Sequence, residues 1–388
     1  MTTTNFKRAD GSDCGNFVTK EYLLNVYPQL IPSAKRASIW TWGANGSGQL
    51  GDSTLVEKSS PVQLGSLVDW KNIAGGWQQS LATKVDNTLW TWGNNVYGQL
   101  GDGTTTRHTS PQQIGSLTDW ESVASGHIYS LALKTDGSIW SWGNNLAGQL
   151  GDGTTDQKSS PIQIGALTDW VSIAGGFRHA GAIKSDGTLW MWGDNSTGQL
   201  GDGTTDNKSS PIQVGSLTDW EAISCGQYHT MAIKTDGTLW VWGDNGSYQL
   251  GDGTQVSKSS PVQVGSLTDW ATMEAGQYHN LAIKTDGSLW GFGANSFGQL
   301  GTSDNVAKSS PTQVGSLTNW KKVSLGYSYS LALKADGTVW SWGYNGSGQL
   351  GIGSIEDKSS PVQIGSLSSW KNIFASNTGC VALTDLDY

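Results

Sequence analysis

The chain is poor in cysteine, in charge and in long apolar runs, and each scarcity removes a class of protein. Cys14, Cys225 and Cys380 are the only cysteines in 388 residues. An odd count at unrelated places supplies neither a disulfide framework nor a zinc site, so these read as small buried or incidental residues. Charged residues make up 14% of the chain, and 23 Lys and Arg against 32 Asp and Glu give a formal net charge of -9 with no basic cluster. A nucleic-acid binder needs a basic face to displace counterions from phosphates, so no nucleic-acid partner is expected and the acidity reads as solubility. No stretch approaches membrane-spanning length, and the opening MTTTNFKRADGSD holds no apolar signal region. The expectation is a cytoplasmic or virion protein without membrane insertion.

Glycine (53) and tryptophan (21) are abundant instead, and they recur with a period of fifty residues. Ser130–Leu150 (SLALKTDGSIWSWGNNLAGQL) returns at 80–100, 180–200, 230–250, 280–300 and 330–350, and its second half alone stands at 38–50. Such a period overrides the two or three domains that length alone suggests, leaving one repeat domain at 38–388 behind a segment at 1–37. In that segment Ala9–Asn16 reads as a loop and Thr19–Tyr27 as a short helix stopped by Pro28, with Tyr22, Leu23, Val26 and Tyr27 along one side. It is too short to fold alone. Either it packs on the repeat domain or on another copy, or, with Phe6, it supplies docking residues for other virion or assembly proteins.

Each repeat reads as four strands in a meander. The apolar runs around Thr135-Asp136-Gly137 form a hairpin whose glycine takes the left-handed position, and Val85-Asp86-Asn87 puts there the residue that best substitutes for glycine. A strand such as Trp120–Gly126 precedes the hairpin, and a short one after each Pro, such as Pro161–Gly165, follows it. The first strand is rich in small residues, the second carries Ala at 82, 132, 182, 232, 282, 332 and 382, and the third carries Trp pairs such as Trp90 and Trp92. Small residues toward one edge and large ones toward the other suit sheets that crowd near an axis and splay outward. The fold class is therefore all-β: a seven-bladed β-propeller of four-stranded blades, preceded by a short N-terminal segment with one helix. The chain opens on a third strand and closes on a first and second, so the last blade is expected to join both ends, with Val381–Leu383 beside Ile39–Trp42.

Gly226–Asn245 (GQYHTMAIKTDGTLWVWGDN), Gln249–Thr254 (QLGDGT) and Pro261 resemble the regulator of chromosome condensation repeat family, and the likeness extends over 38–388. The resemblance implies a seven-bladed propeller closed by both chain ends. It does not choose a function, because the family includes a guanine-nucleotide exchange factor that binds chromatin, parts of ubiquitin ligases, a bacterial inhibitor of β-lactamases and uncharacterised phage proteins. This chain lacks the basic tail of the nuclear member and any insertion long enough to act as an exchange wedge.

His179, His229 and His279 share one repeat position, occupied elsewhere by Gln79, Tyr129, Tyr329 and Gly379. The family commonly has His there, so a hydrogen bond between blades is favoured over a metal site, and no cofactor is expected. The Gly-Asp-Gly-Thr-Thr-Asp runs at 151–156 and 201–206 lack the dense carboxylates of a calcium loop and read as Asp-stabilised turns. Ser, His and Asp fill repeated slots, so no catalytic triad stands out and an enzyme is not expected. What varies are loop tips and a near-axial set, from which Trp77, Gln79, His127, Tyr129, Phe177, Arg178, Tyr228, Tyr278 and Tyr327 are the candidate partner-binding residues. The function expected is a non-catalytic interaction or structural module: a phage virion component on the tail or capsid surface, docked by its N-terminal segment and displaying the propeller to a host-surface protein or glycan. A cytosolic regulator of a small GTPase and a glycan-binding lectin are the alternatives.

Overall fold

The computed structural model describes residues 37–385. The expected helix and the docking residues Phe6, Tyr22, Leu23, Val26 and Tyr27 lie outside them, as does Cys14. Among the described residues there are 28 strands in seven four-stranded antiparallel sheets, and no helix. A representative blade runs from Trp120–Ser125 through Tyr129–Lys134 and Ile139–Gly143 to Lys158–Gln163, each strand beside its sequence neighbour. The seventh blade takes Trp370–Ala375 and Gly379–Asp385 from one end of the chain and Ala37–Gly43 and Lys58–Gln63 from the other. Its register sets Ile39 opposite Leu383, Thr41 opposite Val381 and Trp42 opposite Cys380. The closure expected from the leftover strands is the one observed, and it removes two edges that would otherwise be free to pair.

Side-chain size decides how the blades stack. The second strand of each blade is buried on both faces, as in Tyr129–Lys134, and its Ala is fully covered in all seven copies. That absent bulk lets the next sheet approach. Leu131, Leu133, Ile139 and Ile164 of one blade meet Trp170, Ala182 and Trp192 of the next, and the same construction recurs in the other apolar clusters.

The outer strand departs from expectation. It begins at Lys158, before Pro161, and ends at Gln163. Lys158 pairs with Gly143 and Ile162 with Ser141, so Ser159, Ser160 and Pro161 form an irregularity opposite Trp142. Proline, which has no N–H to give, is tolerated in such a bulge on an edge strand.

A latch joins each blade to its predecessor. Trp142 Nε1 donates to Gln99 O at 2.9 Å and Ser130 Oγ donates to the same carbonyl at 2.7 Å. Gly101 is required beneath that indole, because a Cβ there would lie 2.7 Å from Trp142 Nε1. The Gln-Leu-Gly part of the repeat is therefore an interblade contact. In the hairpins Asn87 takes the positive φ of 60° that Gly137 takes at 81° in the next blade.

Candidate functional site

The first strand of a blade leads into its hairpin partner at one end of the propeller, and the third strand returns to that end, since Tyr129 pairs with Gly143. The turns at 76–78 and their equivalents therefore share an axial face with the long loops after each Trp-Gly. At its centre is a cavity of about 150 Å³ lined by all seven inner turns.

Around the mouth the aromatic candidates touch in series. Trp77 stacks on His127 with centroids 4.5 Å apart and planes 15° from parallel. His127 meets Phe177 at 4.1 Å, Phe177 meets Tyr228 at 5.5 Å, and the Arg178 guanidinium lies 5.5 Å from the Phe177 centroid. Burial, then the charge of Arg178, pushes His127 down to about 4, so it presents a neutral ring. Burial raises the Tyr278 phenol, helped by Tyr228 and Tyr327. Tyr327 is 46% exposed, the most open aromatic of the set.

Gln79 and Tyr129 are not part of this surface. Both are fully buried, because the chain has by then turned into the second strand and their side chains cross to the next blade. Gln79 Nε2 donates to Gly126 O and Tyr129 O, and Tyr129 OH donates to His179 O at 2.6 Å. The three equivalent histidines do the same work. His179 Nε2 meets Thr230 Oγ1 at 3.1 Å, His229 Nε2 meets Asn280 Oδ1 at 2.8 Å, and His279 Nε2 meets Ser330 Oγ at 3.1 Å. Thr230 and Ser330 spend their own protons on Gln199 O and Gln299 O, and an amide oxygen only accepts, so Nε2 carries the proton in all three rings. Each Nδ1 is buried without a hydrogen-bond partner. Among the described residues no three His, Cys, Asp or Glu side chains are grouped so as to hold a metal ion.

The Gly-Asp-Gly-Thr-Thr-Asp runs are loops folded around an asparagine. Asn145 Oδ1 accepts from Leu150 N while Nδ2 donates to Asp152 Oδ1 and to the carbonyls of Thr154 and Asp156. Asp152 also accepts from Thr154 N and Oγ1. This is the Asp-stabilised turn expected. Cys225 and Cys380 are free and buried, and burial pushes both thiols up.

Two charged features went unread in the sequence. Glu274 lines the axial cavity, and burial raises it to about 7, opposed by the charge of Lys322. Lys134 ends a buried strand with Nζ 4.7 Å from the Trp120 centroid, 4.2 Å from that of Trp140 and 3.2 Å from Asp119. The same clamp recurs at Lys84, Lys184, Lys234 and Lys284, and Lys334 keeps the two indoles but has Asn319 in place of the aspartate. A departure from Ala or Ser marks the first, and recurrence at one register marks the second.

The profile of the regulator of chromosome condensation (RCC1) repeat matches residues 37–83, 86–133, 136–183, 186–233, 236–283, 286–333 and 336–383. A second profile of the same repeat matches 120–149, 170–199, 220–249, 271–299 and 320–349. No curated protein sequence matches the chain. Among solved structures, human WBSCR16 superposes with a TM-score of 0.82 at 22% identity, covering 92% of this chain and all of that one. Yeast RCC1 (Prp20) bound to Kap60 gives 0.80 at 20% identity over 93% of this chain and 92% of that one. Prp20p from Saccharomyces cerevisiae, described with its binding to Gsp1p and histones, gives 0.76 at 22% over 92% and 93%. Identities this low carry the fold alone.

Proposed function

We propose that this chain, which belongs to the regulator of chromosome condensation (RCC1) repeat family, is a non-catalytic protein-interaction module of a phage virion, docked through residues 1–37 and binding its partner with the axial face. The aromatic series from Trp77 through His127 and Phe177 to Tyr228 carries this reading. Rings gathered on one face retain apolar area that a partner would bury, and aromatics with an adjacent Arg make effective contact anchors. The blades themselves do not need these rings, since Gln227, Gln277 and Asn377 stand at the position of Trp77, His127 and Phe177, and Gln78 and Ser328 at that of Tyr228. A protein of similar fold, yeast RCC1 (Prp20), was solved bound to Kap60. The virion setting is supported by the near-identity of the repeats and by the non-repeat segment ahead of them.

The test compares partner capture by the native chain, by W77A/F177A on the axial face, and by L117S/L167S on exposed leucines at the opposite end. Thermal unfolding confirms that each variant is folded. Loss only in the axial variant is expected, and unchanged capture refutes the assignment of the face. Particles that retain a chain lacking residues 1–37 refute the docking role. Accelerated nucleotide release from a small GTPase would refute the assembly reading.

A further inference from the structure

Glu274 departs from the repeat in a way that packing does not require. Its six equivalents are Ala74, Ala124, Ala174, Ser224, Ser324 and Phe374. The carboxylate lines the axial cavity and makes no hydrogen bond or close ion pair among the described residues. Lys322 acts on it electrostatically, but the Lys322 ammonium is hydrogen-bonded to Asn372 Oδ1. Beside Glu274, Gln227 and Gln277 also line the cavity, and the Oε1 of each is buried without a hydrogen-bond partner. The Gln227 side-chain N–H donates to the Tyr278 hydroxyl, which leaves its Oε1 as the free group. One side of the cavity thus offers three unpartnered acceptors, and the other offers the rings of Trp77, His127 and Phe177.

We propose that the partner held by the axial face inserts a Lys or Arg side chain into this cavity, its aliphatic stem along the aromatic rings and its cationic head against Glu274 and the Gln227 and Gln277 carbonyls. Buried acceptors without donors are costly, and a charged donor is the group that relieves all three at once. The ring faces attract the same cation and cover its methylenes. A cavity of about 150 Å³ holds one such side chain, and a chain with net charge -9 steers a basic segment toward itself. This inference rests on the axial face being the binding surface.

The probes are n-butylguanidinium and n-butylammonium, with n-butanol as the uncharged control, titrated into the full chain by saturation-transfer NMR and calorimetry. Both cations are expected to bind and n-butanol not to bind, with affinity falling about tenfold in Glu274→Gln. Because Glu274→Gln removes a charge from a confined site, the variant is expected to fold. If it does not, Gln277→Leu removes an acceptor from the mouth and takes its place. Cation binding equal to native in the folded variant, or absent from the native chain, overturns the proposal. With a captured partner, loss in W77A/F177A but full retention in Glu274→Gln overturns the cation inference alone. Retention in both overturns the choice of face.

Discussion

The interblade histidines should make the propeller acid-labile well above the range in which its carboxylates titrate. Burial pushes His179 down to about 3, His229 to about 4 and His279 to about 3 from the ordinary 6.5. In each ring Nε2–H is used and a proton on Nδ1 would find no acceptor. Below the ordinary histidine pKa the unfolded chain binds protons that the folded one refuses. The stabilisation is therefore complete above pH 6.5 and is lost as pH falls toward 3 to 4. At about 1.4 kcal/mol per pH unit, moving from pH 8 to pH 5 removes about 2 kcal/mol per histidine and about 6 for the three. Glu274 works in the opposite direction: raised to about 7, it contributes stability that is present at low pH and lost as pH rises through 7.

Gln79 provides the control, since the first blade already uses glutamine at this position and its Nε2 reaches the next blade. Urea unfolding of the native chain and of H179Q/H229Q/H279Q at pH 8, 6.5 and 5, both carrying E274Q, isolates the histidine contribution. The triple variant should lose about 6 kcal/mol less than its parent between pH 8 and pH 5. Parallel pH profiles would refute the assignment of the clasp, as would a native loss that sets in only below pH 4.

Three further outcomes follow from the same contacts. Ser53 and Ser303 hold positive φ of 63° and 65° where Gly103, Gly153, Gly203, Gly253 and Gly353 stand in the other copies; S53G and S303G should each raise stability by about 0.5–1 kcal/mol in calorimetric unfolding. N280A removes the donor to Gln249 O and the acceptor for His229 and should cost about 2–3 kcal/mol, part of which F292W restores by supplying an indole N–H, as a double-mutant cycle would show. V381P places proline in the second strand of the closing blade, opposite Thr41; a loss of about 3 kcal/mol or more and early proteolysis of that blade are expected.

The fold was legible because the features that dictate it repeat: Ala82 and its six counterparts, the Trp pairs and the turn glycines place each strand at a radius, and Asn87 confirms the hairpin because asparagine tolerates the positive φ that glycine takes there. Burial was less legible. Gln79 and Tyr129 adjoin the loop residues in sequence, but the chain bends between 76 and 79, so a side chain one or two positions further on enters the blade interface. Nothing in the sequence around Lys134 signals its burial. Its ammonium in fact sits between two indoles because the stem lies along apolar surface while Asp119 supplies the counter-charge. The outer strand lies earlier in the chain than its sequence suggests, at Lys158–Gln163 instead of Pro161–Gly165, because Pro161 looks like a boundary until the bulge around it is seen.

Departures from the repeat divide into two physical kinds. Some are compensated. Phe292 has no N–H for Gln249 O, and Asn280 supplies one while also accepting from His229. In the closing blade Thr384 stands where the other blades have lysine, and Trp40 Nε1 turns to it, whereas Trp140 donates to Ser138 two residues earlier. Such pairs keep the Trp40 indole and the Gln249 carbonyl partnered, although Ser38 Oγ in the closing blade is left buried without a partner. The axial departures are not compensated: Glu274, Gln227 and Gln277 leave acceptors without donors in a space that opens to the face of the propeller. Unpartnered buried groups occur elsewhere, as at the indole N–H of Trp120 and its counterparts, but those repeat with the scaffold; the axial acceptors stand where the copies differ and face an open cavity, which is why they support the proposed cationic partner group there.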